Sequence, residues 1–316
     1  MATWLVTGGC GFIGSHLADV LVARGDRVRI IDDLSAGRRE NAPREAEICV
    51  GDVIDRDFVR RAIDGADGCF HLAAVVSVQR SIEAWVDSHR TNLTGALTVF
   101  EAARERRLPV VYASSAAVYG DNPDVPLGET AATKPLSPYG ADKLGCELHA
   151  FTAWQNHKLP TAGMRFFNVY GPRQDPRSPY AGVIATFADR ILADRPVHVF
   201  GDGGQVRDFI HVADVVRHLI AAMTRLREGA AVYNVCTGRP TRVIDLARLI
   251  ADVVGRTPRI LHEAPRPGDI HRSIGAPDRA IAALGVAART SLADGLRETL
   301  AAMRATPARE LVEVGR

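Results

Sequence analysis

Tyr139 and Lys143 stand four residues apart in PYGADK, and a helical repeat there stacks them one turn apart on a single face. A tyrosine ordinarily titrates near ~10 and is a poor base at neutral pH, but an ammonium beside it favours the phenolate. Upstream by 24 residues, ASSAAVYG ends an apolar run with Ser114 and Ser115. A serine there can hydrogen-bond the same substrate oxygen as Tyr139 and pass a proton along. Standing alone, Tyr-x-x-x-Lys is most often a surface pair. The opening of the chain gives it a different meaning.

That opening, TWLVTGGCGFIGSHLADVLVARGD, sets Gly8, Gly11 and Gly14 in a G-x-x-G-x-x-G pattern between an apolar run and a helical stretch. Glycines permit a tight turn out of a strand and let backbone N–H groups approach a pyrophosphate at the positive end of a helix. Asp32 closes the next apolar run, close to the ~20 residues at which an acid meets the adenine ribose hydroxyls. An acid there repels a 2′-phosphate, so NAD is favoured over NADP; Arg38 and Arg39 weaken that preference without reversing it. Asp52 in VGDV is placed to reach the adenine, or to cap a helix.

Short apolar runs alternate with amphipathic helical patterns through the first half: WLVT, RVRIID, EICVGDV, CFHLAAV and PVVYASSAAVYG as strands, FIGSHLADVLVA and SPYGADKLGCELHAFTAWQ as helices. This alternation predicts an α/β fold, a doubly wound parallel sheet with the carboxyl ends of its strands on one ligand-binding edge. Beyond TAGMRFFNVYGPR the texture changes, with Pro172, Pro176 and Pro179 breaking a loop. Residues 1–169 are expected to form the cofactor domain and 170–316 a smaller α/β substrate lobe. There TRVIDLARLIADVVG reads as a helix stopped at Gly255, and SLADGLRETLAAM as one capped by Ser291.

The totals fit a globular protein: 316 residues, 47% apolar, 24% charged, net charge +2. That balance gives no case for a nucleic-acid or membrane partner, and no apolar run approaches the roughly 20 residues of a span. WLV is too short for the core of a signal peptide. Five scattered cysteines without C-x-x-C spacing suit reduced thiols, so a cytoplasmic location is expected. No histidine stands in a metal-ligand cluster, and no metal is expected.

Together TGGCGFIG, ASSAAVYG, YGADK, RFFNVYGPR and GDGGQVRDFIHVADV resemble the extended short-chain dehydrogenase/reductase superfamily, and within it the nucleotide-sugar 4-epimerases of the UDP-glucose 4-epimerase type. The likeness runs through nearly the whole chain. It implies a Rossmann domain with tightly held NAD, a carboxyl-terminal sugar-nucleotide lobe, and a homodimer joined by two helices from each subunit. It makes Tyr139 the acid/base, Ser115 its assistant and Lys143 the holder of the nicotinamide ribose. The expected reaction runs through a transient 4-keto sugar, with no net redox change. The cofactor contacts expected are Gly8, Gly11, Phe12, Ile13, Gly14, Asp32, Asp33, Ser35, Gly37, Asp52, Val53, Leu72, Ala73, Ala74, Asn92, Tyr139, Lys143 and Phe166.

The dehydratases and decarboxylases of this superfamily carry acids after the strand serine or threonine, where this chain has Ala116 and Ala117. By resemblance Asn168, Arg207 and Arg266 meet the diphosphate, Asp269 the nucleotide ribose, and Phe200 the uracil. Ser114, Ser115, Val183 and His198 complete the expected substrate contacts. Ser273 falls where a tyrosine shuts out an N-acetyl group, so a UDP-N-acetylglucosamine 4-epimerase is expected. GPRQDP and YAGVI also resemble the subgroup preferring N-acetylated sugars. UDP-glucose and UDP-glucuronate 4-epimerases remain open, the latter because His271 or Arg272 could meet a carboxylate. So do a net oxidoreductase and a non-catalytic NAD sensor. Val76 stands where some relatives carry a lysine beside the nicotinamide.

Overall fold

A computed structural model describes residues 1–175, 182–266 and 268–305. The end of GPRQDP, the start of YAGVI, Pro176, Pro179 and the tail from 306 lie outside the described residues. Six apolar runs form β1 (Thr3–Thr7), β2 (Arg27–Asp32), β3 (Glu47–Val50), β4 (Gly68–His71), β5 (Val110–Ser115) and β6 (Thr161–Phe166). The later strands are β7 (Asn168–Tyr170), β8 (Val197–Phe200), β9 (Val206–His211), β10 (Ala230–Val235), β11 (Pro240–Arg242), β12 (Ile260–Glu263) and β13 (Arg272–Ser273). Helices α1 (Phe12–Ala23), α2 (Arg56–Ile63), α3 (Val78–Glu83), α4 (Trp85–His89), α5 (Gly95–Arg104) and α6 (Pro138–His157) follow the first strands. Helices α7 (Val183–Leu192), α8 (Val212–Arg225), α9 (Val243–Val253), α10 (Asp278–Leu284) and α11 (Leu292–Ala305) follow the others.

Seven strands lie parallel in one sheet, in the order β10-β6-β5-β4-β1-β2-β3. Successive strand residues point to opposite faces, so Leu5 and Val6, Ile30 and Ile31, and Val110 and Val111 part company. Val6, Ile30 and Val111 pack with Leu17, Leu21, Leu219 and Met223 of α1 and α8. Leu5, Ile31 and Val110 pack with Val59, Val99, Phe100 and Cys146 of α2, α5 and α6. Each such aliphatic side chain contributes about 1.5–3 kcal/mol by leaving water. The two faces are thus covered separately, as a doubly wound sheet requires.

The two lobes are not consecutive in sequence. After β9, helix α8 packs back on α1, and β10 pairs with β6 from Ala230↔Thr161 to Val235↔Phe166. A single boundary at 169/170 therefore does not separate the two lobes, since α8, β10 and α10 all return to the large one. The smaller lobe holds β7, β9, β11 and β13 in one sheet and β8 beside β12 in another. Its own core joins Tyr170, Ile184, Phe187, Val197, Leu246, Ile250 and Leu296. Among the described residues no helix is long and apolar enough to cross a membrane.

Candidate active site

Connections leave β1 toward β2 on one side while β4 lies on the other, so the carboxyl ends of β1 and β4 open a crevice. Gly8 leaves β1 at φ +69°, and Gly11 caps α1 without any side-chain hydrogen bond. No acidic residue occupies the first turn of α1, so its orphan N–H groups and positive end face the crevice. A Cβ at Gly14 would sit 2.2 Å from the Gly8 carbonyl oxygen, and one at Gly8 would sit 2.8 Å from the Ala73 nitrogen. The turn is as tight as a backbone cradle for a pyrophosphate needs, with Phe12 and Ile13 half-buried behind it.

Asp32 holds this cradle as well as edging it. Its Oδ2 accepts the Cys10 N–H at 2.9 Å and its Oδ1 the Leu34 N–H at 2.9 Å. A Cβ at Gly37 would press on both oxygens. One bond per oxygen leaves acceptor capacity for ribose hydroxyls. Burial raises its pKa against the pull of those two bonds. Asp33 accepts from the Ser35 N–H at 3.0 Å and its hydroxyl at 2.7 Å, shaping the loop past β2. Burial and Asp32 push the Cys10 thiol up to about 11, which leaves it a packing residue rather than a nucleophile.

The other expected cofactor contacts divide. Asp52 accepts from the Ile54 N–H at 3.0 Å, and Val53 is buried in the core. Leu72 and Ala73 give their N–H groups to Thr7 Oγ1, both at 3.2 Å; Ala74 follows them on the loop after β4. Thr7 accepts twice, so its own proton goes to His71 Nδ1 at 2.8 Å. Burial and the Lys143 ammonium hold that imidazole down to about 3. Asn92 lies in a π-helical turn, Arg90–Thr94, where its oxygen accepts the Val75 N–H at 2.8 Å and its amide donates to the Val75 carbonyl at 3.1 Å. Those two bonds shape the loop after β4. Val76 on that loop is 71% exposed. Phe166 ends β6, half-buried.

Ser137 caps α6 by accepting the Gly140 N–H at 3.1 Å, with Pro138 in the first turn. Tyr139, also in that first turn, gives its N–H to Ser81 Oγ at 3.2 Å. Lys143 is 3% exposed, donates to the Ala113 carbonyl at 2.9 Å, and lies 5.8 Å from the centre of the Tyr139 ring. At the end of β5, Ser115 Oγ accepts the Ala117 N–H at 3.1 Å, which leaves its proton free to donate. Ser114 must be corrected. Alternation turns it to the other face, where it is 1% exposed and donates to Glu147 at 2.5 Å. Its side chain faces away from any substrate on the Ser115 side.

The smaller lobe gathers the remaining candidates. Arg207 on β9 pairs with Asp269 at 2.7 Å, and Ser273 on β13 lies opposite Arg207 in parallel register. The Arg266 guanidinium stacks 3.8 Å from the centre of the Phe200 ring. His198, two residues before Phe200 on β8, bonds Glu263 at 2.6 Å. Asn168 opens β7, half-buried, and Val183 opens α7. Asp208 carries no signal in the sequence beyond its place in VRDF, yet it organises this lobe. Fully buried, it accepts from Thr237 N–H and Oγ1, Gly238 and Gly275 at 2.6–3.3 Å.

A family model described as "NAD dependent epimerase/dehydratase family" matches residues 4–236. A UDP-glucose 4-epimerase from Mycolicibacterium smegmatis is 37% identical over 304 residues, 94% of this chain and 96% of that one. A structure of the Thermotoga maritima UDP-glucose 4-epimerase with UDP-glucose superposes with a TM-score of 0.92 at 36% identity, covering 96% of this chain and 98% of the other. A UDP-N-acetylglucosamine 4-epimerase from Methanobrevibacter ruminantium, in complex with UDP-N-acetylmuramic acid, gives 0.92 at 34% identity with the same coverage. Relatives named dTDP-glucose 4,6-dehydratase stand at 31–32% identity.

Proposed function

Because the chain belongs to the NAD-dependent epimerase/dehydratase family, we propose that it interconverts UDP-N-acetylglucosamine and UDP-N-acetylgalactosamine as an NAD-dependent UDP-sugar 4-epimerase. When bound, NAD supplies a reversible hydride acceptor. The glycine turn and the α1 N-terminus would receive its pyrophosphate, Asp32 a ribose, and Lys143 the ribose beside the nicotinamide. The Tyr139 oxygen takes the proton of the sugar 4-hydroxyl while Ser115 donates a hydrogen bond to the same oxygen. Tyr139 later returns that proton, so the chain ends as it began. Ala116 and Ala117 place no acid beside this pair, which argues against a second proton transfer of the dehydratase kind.

The choice of sugar rests on Ser273. Ser273 stands on β13, opposite Arg207 in register and three residues before Ala276; serine is small, and a tyrosine at that position would take up the space this reading gives to an N-acetyl group. A pocket that takes an N-acetyl group also admits the smaller hydroxyl, which keeps UDP-glucose 4-epimerase as the second reading. Turnover without added NAD should favour the N-acetylated pair over UDP-glucose and UDP-glucuronate. Ser273→Tyr should lower kcat/KM for that pair on the order of 100-fold and leave UDP-glucose within about threefold. A tenfold preference of the parent for UDP-glucose or UDP-glucuronate overturns this assignment.

The same reading makes the protein a homodimer in the cytoplasm, where thiols stay reduced; all five cysteines are unpaired. Ile82 (54% exposed), Trp85 (62%), Val86 (71%), Leu148 (62%) and Phe151 (55%) are exposed apolar side chains on α3, α4 and α6, which pack against one another. A second copy of the chain docked there would bury them. Sedimentation should give twice the 34.1 kDa chain mass, and Trp85→Glu should give the monomer. A monomeric parent rules the dimer out.

A further inference from the structure

The structure assigns a positioning role to a buried charge network behind the proton-moving residues: Glu147 and Arg165, clamped by Ser114 and Tyr119, hold Ser115 in register with Tyr139 and Lys143. It rests on the epimerase reading for the reaction it serves.

Tyr139, Lys143 and Glu147 recur every four residues along α6, so Glu147 stands one turn beyond the lysine. It is 8% exposed and Arg165 on β6 is 4% exposed. Arg165 grips both carboxylate oxygens, Nε to Oε1 at 2.8 Å and Nη2 to Oε2 at 2.6 Å, in the fork geometry that fixes orientation as well as distance. Its Nη1 donates to the Tyr119 hydroxyl at 2.8 Å and to the Glu129 carbonyl at 3.0 Å. Ser114 completes the Glu147 shell at 2.5 Å.

Helix α6 is thereby tied to β5 at two successive residues, by Lys143 to the Ala113 carbonyl and by Glu147 to Ser114. The next residue along the strand is Ser115. The network also reaches the sugar lobe. Tyr119 donates to Asn234 at 2.7 Å, whose amide donates to the Ala276 carbonyl at 3.3 Å, three residues past Ser273. A well-packed apolar pair would be about as stable as a buried ion pair of this kind. What an apolar pair lacks is direction, and here direction sets where the Ser115 and Tyr139 hydroxyls meet one sugar oxygen and where the Lys143 ammonium meets the cofactor ribose. A misplacement near 1 Å costs on the order of 100-fold in rate.

Three variants separate positioning from folding: Ser114→Ala, Glu147→Gln, and Glu147→Met with Arg165→Met, which removes both charges together. Each is measured for kcat, KM, retained NAD and melting temperature. The chain has only three lysines, Lys134, Lys143 and Lys158. Acylation of Lys143, mapped by mass spectrometry against the other two, therefore reports the α6–β5 tie without any turnover. In folded variants kcat should fall about tenfold for Ser114→Ala and about 100-fold for the others, with KM within twofold and Lys143 labelled faster. Unchanged kcat and Lys143 labelling in folded Ser114→Ala and in the double variant overturn the assignment. So does a loss of kcat that only follows NAD loss or unfolding. If the parent turns over no nucleotide sugar, the epimerase reading fails by itself, and the labelling comparison still decides whether the network holds Lys143.

Discussion

Tyr139→Phe should lower kcat by about 10³-fold, near 4 kcal/mol of transition-state stabilisation, with NAD content and melting temperature unchanged. The substitution is selective because the ring's setting does not depend on its oxygen. The backbone N–H of Tyr139 is held by Ser81, the helix start by Ser137, and Lys143 by the Ala113 carbonyl. A phenylalanine keeps all three and loses only the group that takes the proton. Ser115 cannot substitute, since a serine hydroxyl without a strong base beside it can donate or relay but not abstract. Interconversion followed by NMR, with NAD released by denaturation and quantified, separates chemistry from cofactor loss. Retention of more than a tenth of the parent rate would mean that the base lies elsewhere.

Gly14→Ala should destabilise the fold by about 3 kcal/mol and weaken NAD binding on the order of 100-fold. The new methyl would lie 2.2 Å from the Gly8 carbonyl oxygen, 2.8 Å from Gly9 Cα and 2.9 Å from the Gly8 carbonyl carbon. All three are backbone atoms, so no side chain can swing aside. Either α1 moves away from β1, or Gly8 moves, and Gly8 stands where a Cβ would meet the Ala73 backbone at 2.8 Å. Both displace the N–H groups that face the crevice. Gly128→Ala is the control: nothing lies within 4 Å of its Cβ, and its effect should stay within about 0.5 kcal/mol. Calorimetry of NAD binding alongside thermal unfolding checks the pair. Parent-like affinity in Gly14→Ala would show that the close approach does not shape the cofactor site.

What could be read from the sequence is what local spacing encodes. The glycine turn spans seven residues and Tyr-x-x-x-Lys spans five, so a tight turn in the one and a helical repeat in the other bring their members together. Strand–helix alternation is equally local and yields the doubly wound sheet. Ser114 and Ser115 mark where this ends. Alternation guarantees that only one of two adjacent residues faces the pocket, but which one depends on how β5 sits against β6 and α6. Asn92 shows the same limit: its bonds to Val75, made from a π-helical turn, join parts of the chain that no local repeat links. Asp208 and Glu147 carry no local signal, because only the tertiary fold surrounds them with donors.

The return of β10 to the large sheet governs how the chain can be made. Residues 167–229 lie between β6 and the strand that covers its edge. On the ribosome, β6 therefore presents unpaired N–H and C=O groups until residue 235 has left the exit tunnel. The polypeptide that would seem a finished cofactor domain at residue 169 is, during synthesis, an open template for another nascent chain. Its completion waits on α8, which brings β10 back and covers the sheet face beside α1 in one step.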